Sequence, residues 1–287
     1  MSHGRRITMI RQFIFFTLIL FSASVLSNAQ NVVIKSPEYF RSPIRDGYEL
    51  FPDSLVYPRN AESIHIPDIG MIGRFEDYGF TNLKKVSFGN IDYMPGGLFR
   101  NNNTIEEIEF NGFIGHFDCS LVSNCPSLRK IVFHGPVSST GGPGFAHNCP
   151  QLDSVIFEGA VVNFGLGLFP EQLCPRLANY TNRGAFLSVY NDSLTPTATI
   201  EQLRNNPRLI SDLERIAEWQ AEVLTATNSG WMRAWQYQNA KILLPVLEQL
   251  NSGKFVVLKG AMEHAWNLGD DVKTDLEILK ESPAYRR

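Results

Sequence analysis

Apolar positions recur along the middle of the chain in one fixed block: aliphatic, two variable residues, aliphatic, one variable residue, Phe. It occurs at Leu83–Phe88, Ile105–Phe110, Leu128–Phe133 and Leu152–Phe157, with starts 22, 23 and 24 residues apart. A weaker block begins at Leu177, another 25 on, and Ile64–Pro67 is an earlier one. This alternation predicts short strands that send their aliphatic and Phe side chains inward and the residues between them outward. Strands repeated at such a period form a solenoid, because each unit buries its apolar face only by stacking on its neighbours. Gly89, Gly112, Gly135 and Gly159 follow the Phe residues within two positions, where the chain turns away. Phe99, Phe145 and Phe169, six to eight residues before Ile105, Leu152 and Leu177, are expected to close the opposite wall of each coil.

After about residue 195 the period changes. All four Trp (Trp219, Trp231, Trp235, Trp266) lie there, with only Phe255 of the 20 Phe. Leu209, Leu213, Ile216, Gln220 and Val223 fall on one helical stripe; Trp235, Ile242, Val246 and Leu250 form a second, with a kink expected at Pro245. Thr199 with Gln202, and Ser211 with Glu214, have capping-box spacing. Shorter helices are expected near 255–266 and 271–281. The expected fold is therefore α+β: a short solenoid with a parallel β ladder of about five to six coils, then a helical module that serves as an enlarged cap or as a separate binding bundle. The boundaries read as 1–29 for a targeting segment, 30–62 for an N-terminal cap, 63–190 for the solenoid, 191–198 for a linker and 199–287 for the helices.

The repeat resembles the BspA-like leucine-rich repeats of bacterial secreted and surface proteins. Phe145-Ala-His-Asn-Cys149-Pro-Gln-Leu152-Asp-Ser-Val155 reproduces that family's Phe, Asn-Cys and Leu-x-x-Ile steps, and Asn124–Leu128 and Leu173–Leu177 match it in part. Leu98-Phe99 and Gly144-Phe145 replace the family's Ala-Phe anchor, and its Ile-Pro pair survives at Ile66-Pro67. The resemblance implies an extracellular or envelope interaction scaffold without enzymatic activity of its own. It also draws attention to Asp192-Ser193-Leu194 in the linker, similar to an O-glycosylation motif of bacteria carrying these repeats.

Charge and targeting agree with export. Arg5, Arg6 and Arg11 precede an apolar run, Phe13–Leu26, and Ser27-Asn28-Ala29 predicts cleavage before Gln30. The run is shorter than the ~20 residues that span a bilayer. Loss of the three arginines takes the formal charge from −3 to −6, which argues against a general nucleic-acid binder. Cys125, Cys149 and Cys174 hold equivalent repeat positions and should stack, as free buried thiols or, on distance alone, as a permissible disulfide. Cys119 lies elsewhere in its coil, and neither metal-ligand spacing nor a cofactor motif occurs.

The outward strand positions alternate in sign: Lys84 and Lys85, Glu106 and Glu107, Arg129 and Lys130, Asp153 and Ser154. This pattern is read as a self-neutralising ladder, since opposite charges on neighbouring strands attract; a partner that used the face would be a protein of mixed charge. The candidate binding residues are Lys85, Ser87, Glu107, Glu109, Lys130, Val132, Ser154 and Ile156. No His-Glu-x-x-His, Gly-x-Ser-x-Gly or phosphate-loop motif occurs, and no catalytic residue is assigned. Asn102, Asn179 and Asn191 open N-glycosylation sequons. The reading is an exported, non-enzymatic protein-binding scaffold. The alternatives are an envelope enzyme or glycan-processing accessory with its site in the tail or between the modules, and a structural subunit of an envelope assembly.

Overall fold

A computed structural model describes residues 31–33, 60–71, 80–94, 96–117, 121–140, 146–164, 174–177, 181–189, 197–226 and 230–268. The targeting segment, most of the expected N-terminal cap, Phe145, Phe169, Cys119, Asn179, the 191–196 part of the linker and the helix expected at 271–281 lie outside the described residues.

The repeats form three parallel walls. In the first, seven strands stack in the order β1 (Asn31–Val33), β2 (Ser63–Ile66), β4 (Lys85–Phe88), β7 (Glu107–Phe110), β10 (Lys130–Phe133), β13 (Ser154–Phe157) and β15 (Thr181–Asn182). The expected cap thus contributes a rung, with Asn31 facing Ser63. The second wall has six strands: β3 (Ile69–Met71), β5 (Ile91–Met94), β8 (Ile114–Phe117), β11 (Val137–Thr140), β14 (Ala160–Phe164) and β16 (Ala185–Val189). The third has β6 (Phe99–Arg100), β9 (Val122–Ser123) and β12 (Ala146–His147). The predicted opposite wall is therefore two sheets, and Phe99 is the inward residue of the smaller one.

The repeat register is the one the sequence implies. Phe88, Phe110, Phe133 and Phe157 align across β4, β7, β10 and β13 and stack with centroids 5.1, 4.8 and 4.5 Å apart. The glycine column is explained by close approach: a Cβ on Gly135 would lie 2.5 Å from the carbonyl carbon of Gly112, and one on Gly159 would lie 2.5 Å from the carbonyl oxygen of Gly135. At the third wall Asn101, Asn124 and Asn148 adopt φ of 55°, 53° and 52°, a left-handed turn that Asn tolerates better than most residues. Their amides form a ladder, Asn148 to Asn124 and Asn124 to Asn101, both at 2.9 Å, which gives the Asn of the Asn-Cys step a physical role.

Four helices follow: α1 (Ile200–Arg204), α2 (Pro207–Ala226), α3 (Gly230–Gln249) and α4 (Lys254–Asn267). The Thr199–Gln202 capping box is present. Ser211 is no cap, because α2 already begins at Pro207, where the Asn206 side chain accepts the Leu209 N–H. The stripe from Leu209 to Val223 is buried throughout. On α3 the fully buried face is shifted to Gln236, Asn239, Ala240, Leu243 and Leu247, leaving Trp235, Ile242, Val246 and Leu250 at its margins. The helix runs through Pro245 without interruption.

Candidate functional site

The outer faces of the first and second walls have different surroundings, and their residues account for the difference. On the second wall, the positions facing out of the solenoid include Asp92, Gly115, Ser138 and Val162, beside the column Tyr93, His116, Ser139 and Asn163. Helices α2 and α3 lie on this face. Gln220 donates to Ser138 Oγ at 3.0 Å, Ser138 donates to Gln236 Oε1 at 3.4 Å, and Asn239 also donates to Gln236 Oε1, at 3.3 Å. Asn163 donates to Asn239 Oδ1 at 2.8 Å, and the Trp235 indole donates to Ser139 Oγ at 3.3 Å. Along the edge, Arg208 donates to the His134 carbonyl at 2.6 Å, Arg215 to Asn90 Oδ1 at 2.5 Å, and the Asp212 carboxylate accepts the Ala160 N–H at 3.1 Å.

This dock explains the shifted face of α3: Gln236 and Asn239 look like surface residues in sequence, but they turn inward because the wall opposite offers hydroxyls and an amide. The tail is thus packed along the flank of the solenoid. Trp235 belongs to that contact, 5.4 Å from the His116 ring; the side chain of Trp231 lies outside the described residues.

Asp92 is the electrostatically costly member of the dock. Burial pushes its carboxyl up to about 6, against the hydrogen bond from Trp219; Glu222 and Asp68 add to the rise, and Arg215 opposes it. A raised folded-state value means that the folded protein binds the proton more tightly, so stability falls as pH rises through the interval from 3.8 to about 6. A shift of that size corresponds to at most about 3 kcal/mol. Asp92→Asn keeps an acceptor for the Trp219 N–H and removes the charge. It should stabilise the protein by roughly 1–2 kcal/mol at pH 7.5 and by close to nothing at pH 4; urea unfolding followed by tryptophan fluorescence at the two pH values checks this.

On the first wall the expected charge ladder is in register: Lys85, Glu107, Lys130 and Ser154 are paired across β4, β7, β10 and β13. Lys85 bridges Glu107 at 3.3 Å and Glu109 at 2.9 Å, and Lys130 reaches Glu107 at 2.8 Å. Burial opposes the Lys85 charge, but Glu109 and Glu107 outweigh it and hold the ammonium above its usual value. Burial likewise opposes the Glu107 charge, and Lys130 with Lys85 holds that carboxylate below the usual range. Ser87 accompanies them, 2.8 Å from His65 Nδ1, and His134, Glu158 and Arg183 continue the pattern at the strand ends.

Of the eight candidate residues, Lys85, Ser87, Glu107, Glu109, Lys130 and Ser154 are partly exposed. Val132 and Ile156 hold the expected register but are only 2% and 9% exposed, so they act in packing and offer a partner little surface.

Cys125, Cys149 and Cys174 are free, buried thiols. Cys125 donates to the Ser123 carbonyl at 3.4 Å and Cys149 to the His147 carbonyl at 3.5 Å. Contact with the Cys125 thiol pushes Cys149 up to about 12, while the same contact holds the Cys125 thiol below its usual value. Asn102 stands at the equivalent position of an earlier coil, where its side-chain Oδ1 accepts the Thr104 and Ile105 N–H groups. Among the described residues no group of His, Cys, Asp and Glu is arranged to hold a metal ion, and no helix is long and apolar enough to cross a membrane.

Comparison with curated proteins and with solved structures finds no significant match. A family model does match: residues 51–174 correspond, in six copies, to the BspA type leucine rich repeat region. The match spans the coils built around the Phe column and the Asn ladder, which are thus similar to BspA-type leucine-rich repeats.

Proposed function

We propose that this chain is an exported, non-enzymatic scaffold that binds another protein of mixed surface charge through the outer face of the first wall. The observation that carries the reading is the unequal use of the two large walls. Helices α2 and α3 occupy the second, whereas the first presents Lys85, Ser87, Glu107, Glu109, Lys130 and Ser154 partly exposed in alternating sign. A face of that pattern suits a partner with both signs of charge; a polyanion or polycation would need one sign. Export rests on the basic and apolar features of residues 1–29 and on the character of the repeat family.

Inverting Lys85, Glu107, Glu109 and Lys130 together (K85E/E107K/E109K/K130E) preserves every ladder pair while reversing the face seen by a partner. Affinity capture from host-cell and envelope lysates with the exported chain, residues 30–287, should recover a partner that the inverted variant loses by at least ten-fold, with thermal stability close to that of the parent. Equal capture by both proteins would remove the first wall from the binding site.

A further inference from the structure

Cys125, Cys149 and Cys174 occupy the same step of three consecutive coils. Each opens the same turn, its carbonyl accepting the N–H of Leu128, Leu152 or Leu177 at 3.2, 3.1 and 3.0 Å. The third-wall strands just before the first two are in register, with Ala146 opposite Val122 and His147 opposite Ser123, so Cys149 falls opposite Cys125. The sulfurs lean across the gap between coils. Cys125 donates to the Phe99 carbonyl at 3.6 Å and Cys174 to the Ala146 carbonyl at 3.7 Å, in each case a residue of the preceding coil. The Cys149 thiol meets Cys125 on one side and Cys174 on the other.

Packing alone does not call for sulfur at this step. Asn102 holds the equivalent place in the coil before Cys125 and satisfies its own turn through Oδ1. Three thiols in contact are thus a chemical feature added to the fold. Neighbouring coils stand ~4.8 Å apart, inside the ~4.4–6.8 Å between Cα atoms that a disulfide accepts. Cys125 and Cys174 are two steps apart, at ~9.6 Å, and cannot be joined.

We propose that Cys149 is the shared member of a disulfide site, bonded to Cys125 or to Cys174 when the chain folds under oxidising conditions. Each chain then keeps one bond and one thiol in the column. In forming the bond, two thiols release two protons and pass two electrons to an external disulfide of the glutathione type, which leaves as two thiols. The three cysteines are 0%, 0% and 1% exposed, so the bond forms as the coils come together, before the column is closed to an oxidant. The remaining thiol allows the bond to move. The Cys125 thiol gives up its proton, its thiolate attacks Cys149 Sγ in a Cys149–Cys174 bond, and the Cys174 sulfur leaves and takes up a proton. Either bond crosses one boundary between coils, the kind of contact on which a solenoid's stability depends. Export, as proposed above, would bring the chain to oxidising conditions.

Refolding residues 30–287 with Cys119→Ser from urea, in oxidised or in reduced glutathione, tests the site independently of export. The products are alkylated and mapped by mass spectrometry. The oxidised sample should hold one bond per chain, with Cys149 as one end of it, and a Tm about 5 °C above that of the reduced sample. Cys125→Ser and Cys174→Ser should each keep one bond, to the other neighbour of Cys149, and Cys149→Ser should form none. Three cysteines found free or capped by glutathione after oxidised refolding, or a bond that persists in Cys149→Ser, overturns the proposal.

Discussion

Phe133→Ala is expected to lower the unfolding free energy by about 4 kcal/mol, in the middle of the range for buried aromatic truncations. The ring is fully buried and lies in a nearly parallel stack, 4.8 Å from Phe110 on one side and 4.5 Å from Phe157 on the other, with Phe117 of the second wall at 5.7 Å. Removing it leaves a void that its neighbours cannot fill, because the ladders on both sides fix the coil spacing and the glycine column already brings the backbones into contact. The loss should also reduce coupling between the coils on either side, since a solenoid is held by nearest-neighbour interfaces. Urea unfolding followed by circular dichroism should show a lower midpoint and a broader or split transition. A change below about 1.5 kcal/mol would mean that the Phe column contributes less than its packing implies.

Gly115→Ala should cost about 3 kcal/mol and loosen the helices from the second wall. A Cβ at this position would overlap the Asp92 carbonyl of the neighbouring coil and the Trp219 ring of α2, both far inside van der Waals contact. The carbonyl belongs to the adjacent strand of the second wall and is held there, so the indole must move. Its movement also disturbs the packing against Phe113, 5.4 Å away, and the hydrogen bond to Asp92. The expected signature is a red-shifted tryptophan emission in the native state; water admitted beside Asp92 also relieves the burial that raises its carboxyl, which weakens the pH dependence of stability between 4 and 7. Because both changes act through Trp219, Gly115→Ala and Asp92→Asn should not be additive. Parental emission and stability in Gly115→Ala would show that the helices do not rest on this strand.

How far the sequence carries the fold can be traced residue by residue. The first wall was legible because one face alternates cleanly: the Phe and aliphatic positions point into a core and the charged positions point out, so period and register follow from spacing. The second wall was not. Its strands are buried on both faces; Ser138 and Asn163 follow no apolar alternation because their side chains answer polar residues on helices about 75 to 100 positions later, and Gly115 is bare where the Trp219 ring packs. Gln220 on the α2 stripe was the available clue, a polar residue in an apolar row that becomes intelligible once Ser138 stands opposite it. The second buried face of α3 escaped for the same reason: Gln236 and Asn239 read as surface in a single helix and become interior only against this wall. The charged residues of the candidate site were all legible from register. That Val132 and Ile156 are buried in the same rows was not, because burial on an outward face depends on tertiary packing rather than on strand period.

The central claim is a division of labour, with the second wall carrying the helices and the first wall left for a partner. Amide hydrogen exchange of residues 30–287, free and bound to the partner recovered by affinity capture, tests it most directly. The account predicts added protection at 85–88, 107–110 and 130–133, with 114–117 and 137–140 already protected in the free chain and unchanged on binding. Protection that falls on the second wall or the helices, with the first wall unchanged, would contradict it.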